Sequence, residues 1–192
     1  MDAARRVRAV MADHPRERFL PRAERRRASY DGPLDIGHGQ TNSQPRTVRA
    51  MLELLDVHPG QRALDVGSGS GWTTALLAEL VGPSGSVLGL ERVPDLVLTG
   101  RANVEAARMP WARVRASVAG VLGAPEEAPF DRVLVSAMAA RLPEQLVAQL
   151  GDTGILVVPV SGRMLRLERD AEAPDGRRVT EHGHYRFVPL IP

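Results

Sequence analysis

Cysteine is absent from the 192 residues, and so is lysine. Without cysteine the chain forms no disulfide, and three kinds of site are excluded with it: a thiolate nucleophile, a C-x-x-C redox pair and a Cys-ligated zinc or iron–sulfur centre. Without lysine, every fixed positive charge is an arginine. No apolar run approaches the roughly 20 residues that span a bilayer. Arg5, Arg6 and Arg8 are not followed by the apolar segment of a signal peptide. The expectation is a soluble, cytoplasmic protein without a membrane partner. A length of 192 residues suits one domain with a real core, since a chain near this size hides roughly 70% of its unfolded surface.

An excess of one charge is also nearly missing. The 25 arginines face 23 acidic residues, a net charge of +2, yet the sequence pI is about 9.8. Few groups titrate between neutral pH and that value, so a small surplus of arginine lifts the pI without making a nucleic-acid footprint. Locally, nine arginines between Arg5 and Arg27 stand against Asp13, Glu17 and Glu24. They read as the solvated face of amphipathic helices, with a basic docking surface as the weaker alternative.

Along the chain, Val7, Val10 and Met11 fall on one helical face, and Pro15 opens a second short helix that ends at Pro21. Residues 30–44 read YDGPLDIGHGQTNSQ, a loop of a length that is uncommon in compact domains unless it binds something. Val48, Met51, Leu52 and Leu55 then restore the helical period up to Pro59-Gly60. The remainder alternates. Strands are expected at 63–66, 87–91, around Val114, at 132–136 and at 155–160, with helices at 73–81, 96–107 and 143–150 between them. Such alternation predicts a mostly parallel sheet with helices on both faces. Residues 164–168, 178–180 and 185–190 are expected to add antiparallel strands at one edge.

Between the first of these strands and its helix lies ALDVGSGSGW, residues 63–72. Glycines at such a turn let the backbone approach a ligand and present helical N–H groups to it. A dinucleotide fingerprint would need glycine at position 72, where Trp72 stands. The glycines are instead Gly67, Gly69 and Gly71, after Asp65, and Glu91 ends the next strand twenty residues beyond Gly71. A carboxylate there suits a ribose diol. Another nucleotide and a ligand-free tight turn are the alternatives. The pattern resembles motif I and its partner acid in Rossmann-like S-adenosylmethionine-dependent methyltransferases.

The loop DIGHGQTNSQP carries a sharper resemblance, to the protein-L-isoaspartate O-methyltransferase family, where Gly-x-Gly-Gln-Thr-x-Ser-Gln-Pro precedes the cofactor strand. RERFLPRAERRRASYDGPLDIGHGQ, LGLERVP, PEEAPFDRVLVSAMA and RFVPL are similar to family segments in family order. The resemblance covers nearly the whole chain and implies one methyltransferase domain over 1–192, with N-terminal helices and active-site loop in 1–45 and the Rossmann-like core in 46–192. It implies S-adenosyl-L-methionine as cofactor and methylation of the carboxylate of L-isoaspartyl residues in proteins or peptides, which starts repair through a succinimide. It implies a catalytic role for Ser43 and cofactor contacts from Gln40, Thr41, Asp65, Gly67, Ser68, Gly69, Gly71, Glu91, Arg92, Ala119 and Gly120. A monomer is expected, with no metal and no nucleic acid.

Physically, Ser43 sits where its hydroxyl would cap the following helix and, with the positive end of that helix dipole, hold a carboxylate. No general base is needed, because a carboxylate with a pKa near 4 is ionised at neutral pH; His38 is therefore a weak candidate for one. Replacing Glu91 is expected to weaken cofactor binding with little effect on stability. His182 and His184 have no third ligand nearby, and Trp111, Phe130 and Asp131 read as structural. The sequence departs from the family in Ala119-Gly120, where an acidic residue before the glycine usually holds the adenine amino group, and in Asn42, where an aliphatic residue is usual. Ser117 is a possible substitute for the first. These departures leave two rivals: the same chemistry directed at the aspartate of one dedicated peptide, and a binding module that has lost turnover.

Overall fold

The computed structural model describes residues 2–191. Helix α1 (Ala3–Asp13) is capped by Asp2, whose carboxylate accepts from the Arg5 N–H at 2.7 Å, and it buries Val7 and Val10. The expected second helix is only a 3-10 turn, Arg16–Phe19. It lies between Pro15 and Pro21, too close together for a longer helix.

The stretch 30–44 is not an irregular loop. Strands β1 (Leu34–Gly37) and β2 (Gln40–Asn42) form an antiparallel hairpin. Its two-residue turn is His38-Gly39, and both residues have positive φ, 57° and 68°, as a type I′ turn requires. Helix α2 (Pro45–Leu55) follows, and the capping expected from Ser43 is not seen. Pro45 takes the first helical position, so Gln44 is the cap residue and Ser43 lies one step outside. The first turn is served from elsewhere, by the Asp31 carboxylate, which accepts from the Arg46 N–H at 3.2 Å.

Strand β3 (Arg62–Val66), helix α3 (Trp72–Val81), β4 (Ser86–Glu91), α4 (Pro94–Ala106), β5 (Ala112–Ala116) and β6 (Phe130–Val135) realise the expected alternation. After the single turn α5 (Glu144–Val147), β7 (Leu150–Val160), β8 (Arg163–Arg169) and β9 (Arg177–His184) complete one seven-stranded sheet in the order β5-β4-β3-β6-β7-β8-β9. Strands β5 to β7 along this order are parallel and the last two antiparallel. The helix expected over 143–150 stops early because Leu150 already pairs with Phe130, which forces the chain to be extended. The expected strand 185–190 is also absent; the segment makes only one bridge, Met138 with Pro189.

Alternate residues of the central strands serve two cores. Ala63, Leu134, Ile155 and Val157 meet α1, α2 and α3, while Leu64, Val133, Val135, Leu156 and Val158 meet α5 and the stretch before β6. A third cluster, Leu20, Leu34, Ile36 and Leu96, seats the hairpin against α4. No helix among the described residues is long and apolar enough to cross a membrane.

Candidate active site

The sheet fixes where a ligand can sit. From β3 the chain moves to β4 and β5 on one side, then returns to β6 on the other, so strand order reverses between β3 and β6. The crevice outside the carboxyl ends of the strands at such a reversal is the binding place of open α/β sheets. A cleft with about 680 Å³ of free space lies there, lined by Gly67 and Gly69 after β3, Glu91 and Arg92 at the end of β4, Ser117 after β5 and Ser136 after β6.

The turn after β3 is built from conformations that side chains avoid. Gly69 and Gly71 have φ of 53° and 86°. A Cβ on Gly71 would also lie 2.9 Å from the Gly100 carbonyl oxygen and 3.1 Å from Val104 of α4. The turn is therefore drawn tight against α4, and its N–H groups are tied down within the protein: those of Gly67 and Ser68 on the Leu90 carbonyl, that of Gly69 on Glu91 and that of Gly71 on the Ser68 carbonyl. Asp65 is fully buried beneath it. Its Oδ2 accepts from the hydroxyls of Thr73 and Thr74, both at 2.7 Å, which ties the start of α3 to the end of β3. Its Oδ1 and the Ser68 hydroxyl have no hydrogen-bond partner, although both are buried. Burial pushes the Asp65 carboxyl up to about 6; the two threonine hydroxyls oppose this, and the like charge of Glu91 adds to it.

Glu91 shapes the far wall. Its Oε2 accepts from the Gly69 N–H at 2.9 Å, and Oε1 from the N–H groups of Arg92 at 2.7 Å and Val93 at 2.9 Å. Three of about four lone-pair sites are taken, and the carboxylate still faces the cleft.

Next to this cleft an open groove with about 1530 Å³ of free space runs between the start of α2 and the segment after β9, lined by Ser43, Gln44, Arg46 and residues 183–188. Thr41, Ser136 and Val188 line both spaces, so the two meet where β6 ends. Ser43 faces the groove, and its hydroxyl makes no hydrogen bond among the described residues. The arrangement is two spaces opening onto each other, with Thr41, Ser136 and Val188 at the junction.

A model of the protein-L-isoaspartate(D-aspartate) O-methyltransferase family matches residues 1–192. The chain belongs to this family. A protein-L-isoaspartate O-methyltransferase of Methanopyrus kandleri is 45% identical over 190 residues, covering 97% of this chain and 83% of the relative. One of Methanothrix thermoacetophila is 46% identical over 187 residues, covering 97% and 88%. Among solved structures, a Plasmodium falciparum chain described as a protein-L-isoaspartate O-methyltransferase, in complex with S-adenosyl-L-homocysteine, superposes with a TM-score of 0.81 at 29% identity, covering 96% of this chain and 89% of that one.

In this protein-L-isoaspartate O-methyltransferase family member the structure brings together Gln40, Thr41, Gly67, Gly69, Glu91 and Arg92 around one cleft, with Ser68 and Asp65 beneath the turn and Gly71 packed on α4. Ala119 and Gly120 lie apart: both are exposed, and the cleft is lined at that corner by Ser117 and by Val121, Leu122 and Gly123. His38 stands at the tip of the hairpin, 3.1 Å from Asp95 and away from the junction. Sequence reasoning missed Ser136 and the C-terminal residues 188–191, which close over the cleft through the Met138 N–H to Val188 carbonyl bond (2.7 Å) and the Leu190 N–H to Met138 carbonyl bond (2.8 Å). The position of Ser136 was available in principle as the residue after a central strand. Trp111 donates its indole N–H to the Ala78 carbonyl at 2.8 Å, and Asp131 accepts from the Arg62 N–H at 2.8 Å; both are structural.

Proposed function

We propose that this chain methylates the free carboxylate of L-isoaspartyl residues in proteins and peptides, with S-adenosyl-L-methionine as donor, as the first step of their repair. The observation that carries the reading is the meeting of the two spaces at Thr41 and Ser136, in a chain that belongs to this family.

The residues present fit the donor. Gly67 and Gly69 line the cleft with no side chain, Glu91 offers a carboxylate edge for the ribose, and the unpartnered Oδ1 of Asp65 with the Ser68 hydroxyl are buried polar atoms at the turn. When bound there, S-adenosyl-L-methionine supplies an electrophilic methyl group on a sulfonium. The acceptor carboxylate is already ionised at neutral pH, so the chain has no proton to remove. Its task is to hold the carboxylate at the junction, in line and away from water. The free Ser43 hydroxyl supports a role in donating to that carboxylate, and Thr41 stands beside it. Once esterified, the carboxyl is an activated acyl group: the neighbouring backbone nitrogen attacks the ester carbonyl, gives up its proton, and methanol leaves as the succinimide closes.

Labelled S-adenosyl-L-methionine, incubated with an isoaspartyl peptide and with its aspartyl twin, tests this directly. Methanol-releasable label on the isoaspartyl peptide alone is expected; label on the aspartyl twin instead would redirect the activity to ordinary aspartate, and label on neither would overturn it.

A further inference from the structure

Arg16 is a buried cation that meets no carboxylate among the described residues. It is 4% exposed. Its guanidinium is spent on neutral oxygens: Nε donates to Asn42 Oδ1 at 2.7 Å, Nη2 to the carbonyls of Asn42 at 2.7 Å and Gly32 at 2.9 Å, and Nη1 to the Tyr30 carbonyl at 3.0 Å. The group also lies 5.9 Å from the centroid of the Trp72 ring. Burial lowers its pKa to about 10, against the opposing fields of Asp31 and Glu24, so it remains charged at neutral pH. A buried charge persists only where its donors are satisfied. Here the satisfaction comes from the hairpin and the stretch before it.

Asn42 passes the contact onward. Its Nδ2 donates to Ser70 Oγ at 3.1 Å, and the Ser70 carbonyl accepts from Asn103 Nδ2 of α4 at 2.9 Å. Asn42 and Ser70 are 5% and 3% exposed. An aliphatic side chain at 42 would fill the same space, yet it would leave both the Arg16 Nε–H and the Ser70 hydroxyl without this partner. The polar path therefore has one place where it crosses from one reactant site to the other. On one side Asn42 sits between Thr41 and Ser43, which line the groove; on the other Ser70 sits between Gly69 and Gly71 of the turn. This bond joins the hairpin to the glycine turn.

We propose that Asn42, held by Arg16, is a positioning residue for the methyl transfer, fixing through Ser70 the spacing between the acceptor loop and the glycine turn. This rests on the reading under Proposed function. In-line transfer tolerates little error in that spacing, since a displacement of about 1 Å can lower a rate by about a hundredfold.

A double-mutant cycle on the full chain tests the proposal. Asn42→Val and Ser70→Ala are each expected to lower kcat by about tenfold, and the double variant to be no slower than the slower single, because both break one path. The dissociation constant for S-adenosyl-L-homocysteine should stay within about twofold, which separates positioning from loss of the binding turn. Singles whose effects multiply, an unchanged kcat, or a loss confined to cofactor affinity would overturn it. Ser70→Ala removes a single oxygen and keeps the test available should Asn42→Val fold poorly. Hydrogen exchange is the readout independent of activity: in Ser70→Ala the amides of residues 40–43 should exchange about tenfold faster, and unchanged exchange there would overturn the coupling. If the wild-type chain fails to methylate the isoaspartyl peptide, the proposed function falls, while the exchange experiment still decides whether Asn42 couples the two loops.

Discussion

Glu91→Ala should reduce both cofactor affinity and stability, and the two losses can be worked out from the geometry. The carboxylate accepts three backbone N–H groups, at 2.9, 2.7 and 2.9 Å, and is 6% exposed. Hydrogen bonds to charged groups contribute about 1.5–3 kcal/mol each when their partners stay dry. Truncation to alanine opens the position to the cleft, so water reaches the freed N–H groups, and about 1 kcal/mol per bond, or about 3 kcal/mol in all, is the reasonable loss. For a chain of this size that lowers Tm by about 6–12 °C. The sequence alone pointed to little effect on stability, because it showed a ribose partner and not the three N–H groups that the same carboxylate organises.

The binding loss is separate. With three lone-pair sites taken, one ribose hydroxyl can donate to the remaining site, and a hydrogen bond to a charged acceptor amounts to up to about 3 kcal/mol, a rise in Kd of up to about a hundredfold. Titration calorimetry with S-adenosyl-L-homocysteine measures it, and thermal melts provide a cross-check. At a ligand concentration about 100 times the wild-type Kd, the cofactor adds about 2.7 kcal/mol to the wild type and about 0.4 kcal/mol to the variant. Unchanged affinity would remove Glu91 from the cofactor site. A Tm within about 2 °C of wild type would refute the claim that its carboxylate holds the turn together.

Three further perturbations address the other walls of the site. Gly69→Val forces a β-branched residue into φ of 53° with its Cβ 3.2 Å from Ile36 Cδ1; calorimetry should show cofactor binding abolished, and retained affinity would refute the role of the turn. Ser43→Ala removes a hydroxyl that makes no hydrogen bond among the described residues, so Tm should stay within about 2 °C while kcat/KM falls by about tenfold or more; full activity would remove Ser43 from the acceptor side. Asp65 titrates at about 6 in the folded chain against an ordinary 3.8, so the folded state holds its proton more tightly than the unfolded state. Its contribution is most favourable below the ordinary value and is lost as pH rises through about 6, a change of about 3 kcal/mol. Urea denaturation between pH 4.5 and 7 should show about 2 kcal/mol of this fall in the wild type and a flatter profile in Asp65→Asn; identical profiles would refute it.

The parallel core was legible because periodicity encodes it: Ala63, Leu64 and Val66, or Ile155 to Val158, alternate between two apolar layers, and no other arrangement buries them all. The turn beside the cleft was legible too, since glycines at 67, 69 and 71 make sense as a tight strand-to-helix turn. What could not be read were effects that depend on distant partners. Ser43 looked like a helix cap until Pro45 shifted the cap to Gln44 and Asp31 took over the first turn. The His38-Gly39 turn was hidden in a polar stretch, because only two apolar residues, Leu34 and Ile36, face inward there. Residues 185–190 looked like a strand, yet Tyr185 already turns off β9, its N–H bonded to the Gly162 carbonyl at 2.8 Å, to carry Val188–Ile191 over the cleft.

The arginine cluster shows the same limit at the level of single charges. As a composition, nine arginines between positions 5 and 27 are interchangeable, and a solvated surface is the natural reading. In the fold they separate. Arg5, Arg8, Arg22 and Arg26 are exposed, while Arg6 reaches Asp56 at 2.8 Å. Arg16 alone is fully buried, against carbonyls and Asn42 and beside Trp72. Lysine could not replace it, because a compact ammonium with three donors cannot span four oxygens from two stretches of chain. The chemistry asks the protein for no nucleophile and no base: one reactive centre belongs to the donor and the other to the substrate. What remains is geometry. A buried, forked cation joined to an asparagine is a rigid way to set it, which gives the exchange of an aliphatic residue for Asn42 a physical reason: the side chain at 42 sits where the two reactant sites are held apart.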